Sequence, residues 1–109
     1  MQEQLFNAIR QEGTSEVEKL LKQSPDLGSK KDTRGSTPLL LATYYGLYDI
    51  SEIILKYPQN ISEQDASGNT ALMGVCFKGF DKIAKLLIDN GADVNITNFN
   101  GATALIFAA

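Results

Sequence analysis

Asp65-Ala-Ser-Gly68-Asn-Thr70-Ala-Leu72 is the stretch that decides the fold of this 109-residue chain, because a related phrase stands on either side of it. The two related phrases are Asp32-Thr-Arg-Gly35-Ser-Thr37-Pro-Leu39 and Asn98-Phe-Asn-Gly101-Ala-Thr103-Ala-Leu105. Neighbouring copies are 33 residues apart, measured between their glycines or their threonines. A fixed period of this length is typical of a stack of small supersecondary units. It favours a binding module over an enzyme.

Each copy of the phrase predicts a turn followed by a helix. Gly68 is free to adopt the positive φ that a tight turn requires. Thr70 is a good N-cap, because its hydroxyl accepts a hydrogen bond from a free N–H of the first helical turn. Gly79 ends this short helix, and a second, amphipathic helix follows and ends at Asn90-Gly91. The sequence predicts a unit of turn, short helix, tight turn, longer helix and extended return.

The period divides the chain into one domain of stacked units. These are an N-terminal capping repeat, two full repeats and a partial C-terminal repeat, at 1–31, 32–64, 65–97 and 98–109. In the first unit Gly13 aligns with Gly46, and Ser15-Glu-Val-Glu18 resembles a capping box. Polar side chains cover much of this unit, as a terminal repeat facing water requires.

Composition and charge exclude several classes of function. The chain is 43% hydrophobic and 21% charged, which is ordinary for a soluble globular protein. Its net charge is −3 with dispersed Lys and Arg, whereas nucleic acids and anionic membranes require a concentrated basic face. The N-terminus does not resemble a signal peptide, and no apolar run is long enough to span a membrane. We expect a cytoplasmic protein that binds neither nucleic acid nor membrane.

No constellation of catalytic residues is recognisable. The chain has no His, so it has no Ser-His or Cys-His pair, and it has no Gly-rich phosphate loop or zinc spacing. We expect Cys76, the only cysteine, to be a buried and inert thiol. Asp93 and Asn95 are too few oxygen ligands for a metal site. The sequence predicts no enzyme, no cofactor and no metal.

The units resemble the ankyrin repeat over about residues 5–109. The residues that carry the resemblance are Gly35-Ser-Thr-Pro-Leu-Leu-Leu-Ala42, Tyr44-Tyr-Gly46 and Leu86-Leu87 followed by Asn90-Gly-Ala-Asp-Val-Asn95. The resemblance implies an all-α solenoid of stacked helix-turn-helix units with protruding β-turn tips. The family usually has His after the Pro-Leu pair, where this chain has Leu40, Met73 and Ile106. We expect the hydrogen bonds of that His side chain to be missing.

The resemblance also implies where a partner binds, because ankyrin repeats bind proteins through the turn tips and the exposed side of the first helices. The two positions before the mid-repeat glycine hold Tyr44-Tyr45, Phe77-Lys78 and, in the first unit, Gln11-Glu12. Tyr and Phe are good interface anchors. We expect a protein- or peptide-binding aromatic patch, formed by Tyr44, Tyr45 and Phe77 and edged by Arg34, Lys78 and Phe99. The alternative is that one or two of these rings pack between adjacent helices.

The leading hypothesis for function is a scaffold, adaptor or regulator that docks one partner protein, whose identity the sequence does not reveal. One alternative is the N-terminal fragment of a longer array with a mainly structural role, and another is an enzyme with an unrecognised site. The chain ends inside a first helix, where Leu105, Ile106 and Phe107 lack a polar cap. We expect either that the native protein continues past Ala109 or that this end associates with another chain.

Overall fold

Short helices, joined in pairs, build the part of the chain that the computed structural model describes, residues 2–108 with side chains for 2–107. This part contains seven α-helices, one 3-10 helix and no strand. The α-helices are α1 Gln2–Arg10, α2 Thr14–Gln23, α3 Pro38–Tyr44, α4 Tyr48–Ile54, α5 Ala71–Lys78, α6 Asp81–Asp89 and α7 Ala104–Ala108, and the 3-10 helix is Pro25–Ser29.

The helices form two layers. The first helices of the units (α1, α3, α5 and α7) pack in that order in one layer, and the second helices (α2, α4 and α6) pack in the other. Each first helix except α7 also packs against the second helix of its own unit. This confirms the predicted all-α repeat. Within residues 2–108, none of the helices combines the length and the apolar character that crossing a bilayer demands.

The core lies between the two layers and is built from equivalent positions of successive units. Leu39 and Leu72 are buried on the first helices, and Ile54 and Leu87 are buried on the second. Burying a side chain of this size contributes about 1.5–3 kcal/mol to folding. Helices of seven to ten residues, such as α1 to α6, are marginal in isolation, so this contact between units stabilises them.

The turn tips repeat one hydrogen-bond pattern. Oδ1 of Asp32 accepts hydrogen bonds from the backbone N–H groups two and four residues later, both at 2.9 Å. Asp65 and Asn98 do the same at 2.9–3.0 Å. The glycine of each tip has φ of 81–82°, which confirms the predicted positive-φ turn. Because neutral Asn98 replaces Asp without changing the pattern, the tip depends on an acceptor oxygen and not on a charge.

Side-chain amides connect neighbouring tips. Nε2 of Gln64 donates to the carbonyl oxygens of Gly68, at 2.7 Å, and Thr97, at 3.0 Å. Nδ2 of Asn98 donates to Oδ1 of Asn69 at 2.9 Å. These bonds hold the second and third tips in a fixed relation.

The predicted threonine caps are present on two helices. Oγ1 of Thr70 accepts a hydrogen bond from the Met73 N–H at 3.3 Å, and Thr37 caps α3 in the same way. The Thr70 N–H in turn donates to Sδ of Met73 at 3.5 Å. The expectation that the bond of the absent His is missing is therefore wrong at Met73, because the thioether supplies a weak acceptor.

The first unit departs from the sequence prediction by one residue. Glu12, at φ 58°, takes the left-handed place that Gly46 and Gly79 hold in the next units, while Gly13 is the N-cap of α2 at φ −82°. The alignment of Gly13 with Gly46 was wrong because the first unit is one residue longer before Asp32. The predicted capping box at Ser15 is also wrong, since α2 begins at Thr14 without a side-chain cap.

Candidate functional site

A groove of about 530 Å³ runs across the first helices beside the turn tips. Four of the six predicted site residues line it, namely Arg34, Tyr44, Tyr45 and Phe77. Tyr44 and Phe77 are equivalent residues at the ends of α3 and α5, so the stacking of these helices brings them to the same side of the molecule. The capped helix starts fix the register of both helices and therefore the positions of these rings.

The aromatic patch is exposed. Tyr44, Tyr45 and Phe77 expose 54%, 47% and 72% of their surface. The two tyrosine rings lie 5.9 Å apart between centroids, and Phe77 meets the ring of Phe107 edge-on at 6.0 Å. Tyr44 contacts Tyr45, and Phe77 contacts Phe107, but each residue of the patch keeps about half or more of its surface exposed. The alternative considered from the sequence was that one or two of these rings pack between adjacent helices.

The two remaining predicted residues lie outside the lining of the groove. Nζ of Lys78 lies 3.9 Å from the centroid of the Tyr44 ring, a cation–π contact at the edge of the patch. Phe99 lies on the last tip, where its N–H donates to the Ser67 carbonyl at 3.2 Å. A Cβ on Gly68 would lie 2.7 Å from the Phe99 ring, so the ring packs directly over that glycine. Phe99 therefore joins two tips, although 73% of it is exposed.

The sequence did not predict the presence of Arg10 in the groove. Gln11 and Glu12 were expected there, but the one-residue shift of the first unit gives the position equivalent to Tyr44 to Arg10, which lines the groove. Its Nη2 lies 3.9 Å from Oδ2 of Asp32. The sequence held one signal for this shift, which is the extra residue between the end of α1 and the first tip. The first unit contains no motif that shows where this residue is inserted.

The two carboxylates in the groove lining are occupied by the fold. Asp32 and Asp65 each use Oδ1 to accept two backbone N–H groups of their own tips. By contrast, the guanidinium of Arg34 makes no hydrogen bond or ion pair with any of the described residues. The lining thus holds two guanidinium groups and two carboxylates, and the guanidinium of Arg34 is the charged group among them that is free to pair with a ligand.

Cys76 and Asp93 lie outside the lining of the groove. Cys76 is half-buried, whereas the prediction from the sequence was that it is fully buried. The side chain of its equivalent, Thr43, is fully buried. Burial and, secondly, the negative charge of Asp81 raise the pKa of the Cys76 thiol, which disfavours the nucleophilic thiolate. Oδ1 of Asp93 accepts from the Asn95 N–H at 2.8 Å, a local turn contact. Residues 2–108 contain no cluster of three or more Cys, Asp or Glu side chains able to hold a metal ion.

Comparison with known proteins agrees with this architecture. A family model described as ankyrin repeats, in three copies, matches residues 5–98 and 57–109, which together cover most of the chain. A search among curated proteins finds no significant match to the sequence.

Proposed function

Because the chain belongs to the ankyrin repeat family, we propose that it is a non-catalytic scaffold, adaptor or regulator that docks a partner protein in the groove. Ankyrin repeats are generally protein–protein interaction modules and are typically without catalytic activity. The proposal adds the binding mode: the partner contacts the turn tips and the groove side of α3 and α5.

The observation that carries the proposal is the exposure of three aromatic rings beside one groove. Exposing large aromatic rings to water costs free energy. A large contiguous patch of exposed apolar surface is therefore typical of an interaction site. Tyr and Phe provide a large contact area and lose little conformational entropy when a partner covers them. Arg34 and Lys78, beside the rings, supply polar contacts at the rim.

The experiment measures the affinity of a partner, isolated by co-purification from the source organism, for defined variants. We expect Tyr45→Ala and Phe77→Ala each to weaken binding by about 1–3 kcal/mol, because each removes an exposed anchor. Tyr48→Ala is the matched control, since Tyr48 is an exposed tyrosine on α4, outside the groove. Circular dichroism checks that all variants remain folded. Folded groove variants that bind like the wild type would show that the aromatic patch is not the binding surface.

A second association is favoured by one observation at the end of the stack. Leu105 and Ile106 on α7 are 77% and 60% exposed, whereas the equivalent Leu72 and Met73 on α5 are each only 1% exposed. In the preceding unit, helices of this chain cover these positions. We propose that the exposed face of α7 contacts the apolar surface of a second copy of the chain.

A further inference from the structure

Gly74 makes a notch in the groove. It lies in the middle of α5, where α3 has Leu41 and α7 has Phe107 at the equivalent positions. All three residues line the groove. A Cβ placed on Gly74 would meet no atom within 4 Å, so the space in front of it is open. Glycine is a poor helix former, and the fold does not require it here, since no atom approaches its Cα face closely.

The shape of the groove suits a short peptide segment. Its volume of about 530 Å³ lies in the range of sites that take a ligand of a few side chains. Met73, which is buried, forms part of the apolar floor next to the notch. The ring of Phe77 meets Phe107 beside it. A large apolar side chain that enters the notch would contact aromatic and aliphatic groups.

The charged side chains at the groove indicate which polar residue the bound peptide carries. Arg34 has no partner among the described residues, and Lys78 contacts only the Tyr44 ring. Arg10 is already engaged, because its guanidinium donates to Oδ1 of Asn7 at 3.2 Å and lies 3.9 Å from Oδ2 of Asp32. The formal charges of the lining balance, with two Arg and two Asp, so the attraction for a carboxylate rests on the unpaired guanidinium of Arg34, which can bind a carboxylate in a bidentate manner.

Resting on the proposed function, we propose that the occupant is an extended peptide segment of the partner protein that carries two determinants. A large apolar side chain fills the notch at Gly74, and an Asp or Glu side chain pairs with Arg34. The notch fixes the apolar anchor, and the guanidinium fixes the position of the acidic residue beside the first tip.

The substitution Gly74→Leu separates this proposal from a structural role of Gly74. It installs the residue that α3 has at the same position, so we expect a better helix and a Tm raised by a few degrees. The same side chain fills the notch, so we expect peptide binding to weaken about tenfold or more. A gain in stability together with a loss of binding is not expected of a glycine that serves only the fold.

The experiment selects random linear peptides displayed on phage against the full chain. The selected peptides are then synthesised with a fluorescent label, and their affinities are measured by fluorescence polarisation. We expect the selected sequences to share a large apolar residue and an acidic residue. Gly74→Leu and Arg34→Glu should each weaken binding about tenfold, and Tyr48→Ala should leave it unchanged. A peptide with Lys in place of its acidic residue should bind Arg34→Glu more tightly than it binds the wild type.

The possible results distinguish this inference from the proposed function. Basic or neutral selected peptides, or peptides that bind Gly74→Leu as tightly as the wild type, overturn the inference; if Tyr45→Ala still weakens them, groove binding stands. Failure to select any peptide also overturns it, while the co-purified partner tests the groove independently. If Tyr45→Ala, Phe77→Ala and Gly74→Leu all leave both peptide and partner binding unchanged, both proposals fail.

Discussion

Glu12 is held at φ 58°, in the left-handed region that costs a residue with a Cβ about 1–2 kcal/mol. Among the described residues it is the only non-glycine residue with positive φ. We expect Glu12→Gly to raise the free energy of unfolding by about 0.5–1 kcal/mol, because relief of strain exceeds the added entropy of the unfolded chain. Urea unfolding measures the change.

The control for Glu12→Gly is Gly79→Ala. Gly79 has φ 76°, and a Cβ there would meet no atom within 4 Å, so the variant reports backbone strain alone. We expect it to lower the free energy of unfolding by about 1 kcal/mol. A Glu12→Gly variant that is less stable than the wild type would mean that the Glu12 side chain makes a contact worth more than the strain.

Cys76 provides a pH-dependent test at the same scale. Burial and the charge of Asp81 raise its pKa, so the folded protein retains the thiol proton at a pH where the unfolded chain has lost it. The raised pKa therefore lowers the stability of the fold as the pH rises above the ordinary pKa of cysteine. We expect the pH midpoint for alkylation by iodoacetamide to be higher in the native protein than in urea.

The variant Asp81→Asn isolates the smaller of the two causes. Removing the carboxylate should move the alkylation midpoint part of the way towards that of the unfolded chain, because the burial of the thiol remains. Cys76 is the only cysteine, so the whole alkylation signal belongs to it. Equal midpoints in native and unfolded protein would contradict the raised pKa.

At the scale of the helix, the sequence predicted those elements whose ends carry their own signals. Thr70 and Gly79 define α5 because one satisfies a free N–H and the other adopts a left-handed conformation, and both effects are local. The start of α2 was predicted wrongly, because its N-cap Gly13 makes no side-chain bond and the strained Glu12 stands where a glycine was expected. Because of the same error, the prediction from the sequence did not place Arg10 in the groove.

Some features of the candidate site follow from the sequence period, and others depend on how the units pack together. The period alone places Tyr44 and Phe77 side by side, since equivalent residues of stacked helices are neighbours. The packing of Phe99 over Gly68 depends on the distance between two tips, which a single unit does not determine. The notch at Gly74 is also a property of three helices together, because a missing side chain matters only beside Leu41 and Phe107.

At the scale of the whole molecule, the two ends of the stack differ. Polar side chains cover much of the first unit, while α7 exposes Leu105 and Ile106. We expect light scattering to show a mass that rises with protein concentration, because these side chains gain about 1.5–3 kcal/mol each when they are buried. Leu105→Ser should raise the dimerisation Kd about tenfold. Tyr48→Ala, which changes an exposed residue on α4, should not alter it.

A monomer at every concentration, with α7 ordered and wet, would contradict association through this face. Light scattering of Leu105→Ser at the highest concentration provides the internal check, because a nonspecific aggregate would not depend on one side chain. Binding in the groove is measured separately, so the two surfaces are tested independently.

The hydrogen bonds that the side-chain amides of Gln64 and Asn98 make between the tips have a consequence for the thermodynamics of recognition. Gln64 and Asn98 connect the second tip to the third in the absence of a partner, so the distance between these two tips is fixed before binding. Under the proposed binding mode, a partner that contacts these tips would not have to order them, and the entropy lost on binding would come mainly from the partner's own segment. The same proposal implies that substitutions of exposed tip side chains would alter the choice of partner while the spacing of the tips stays the same.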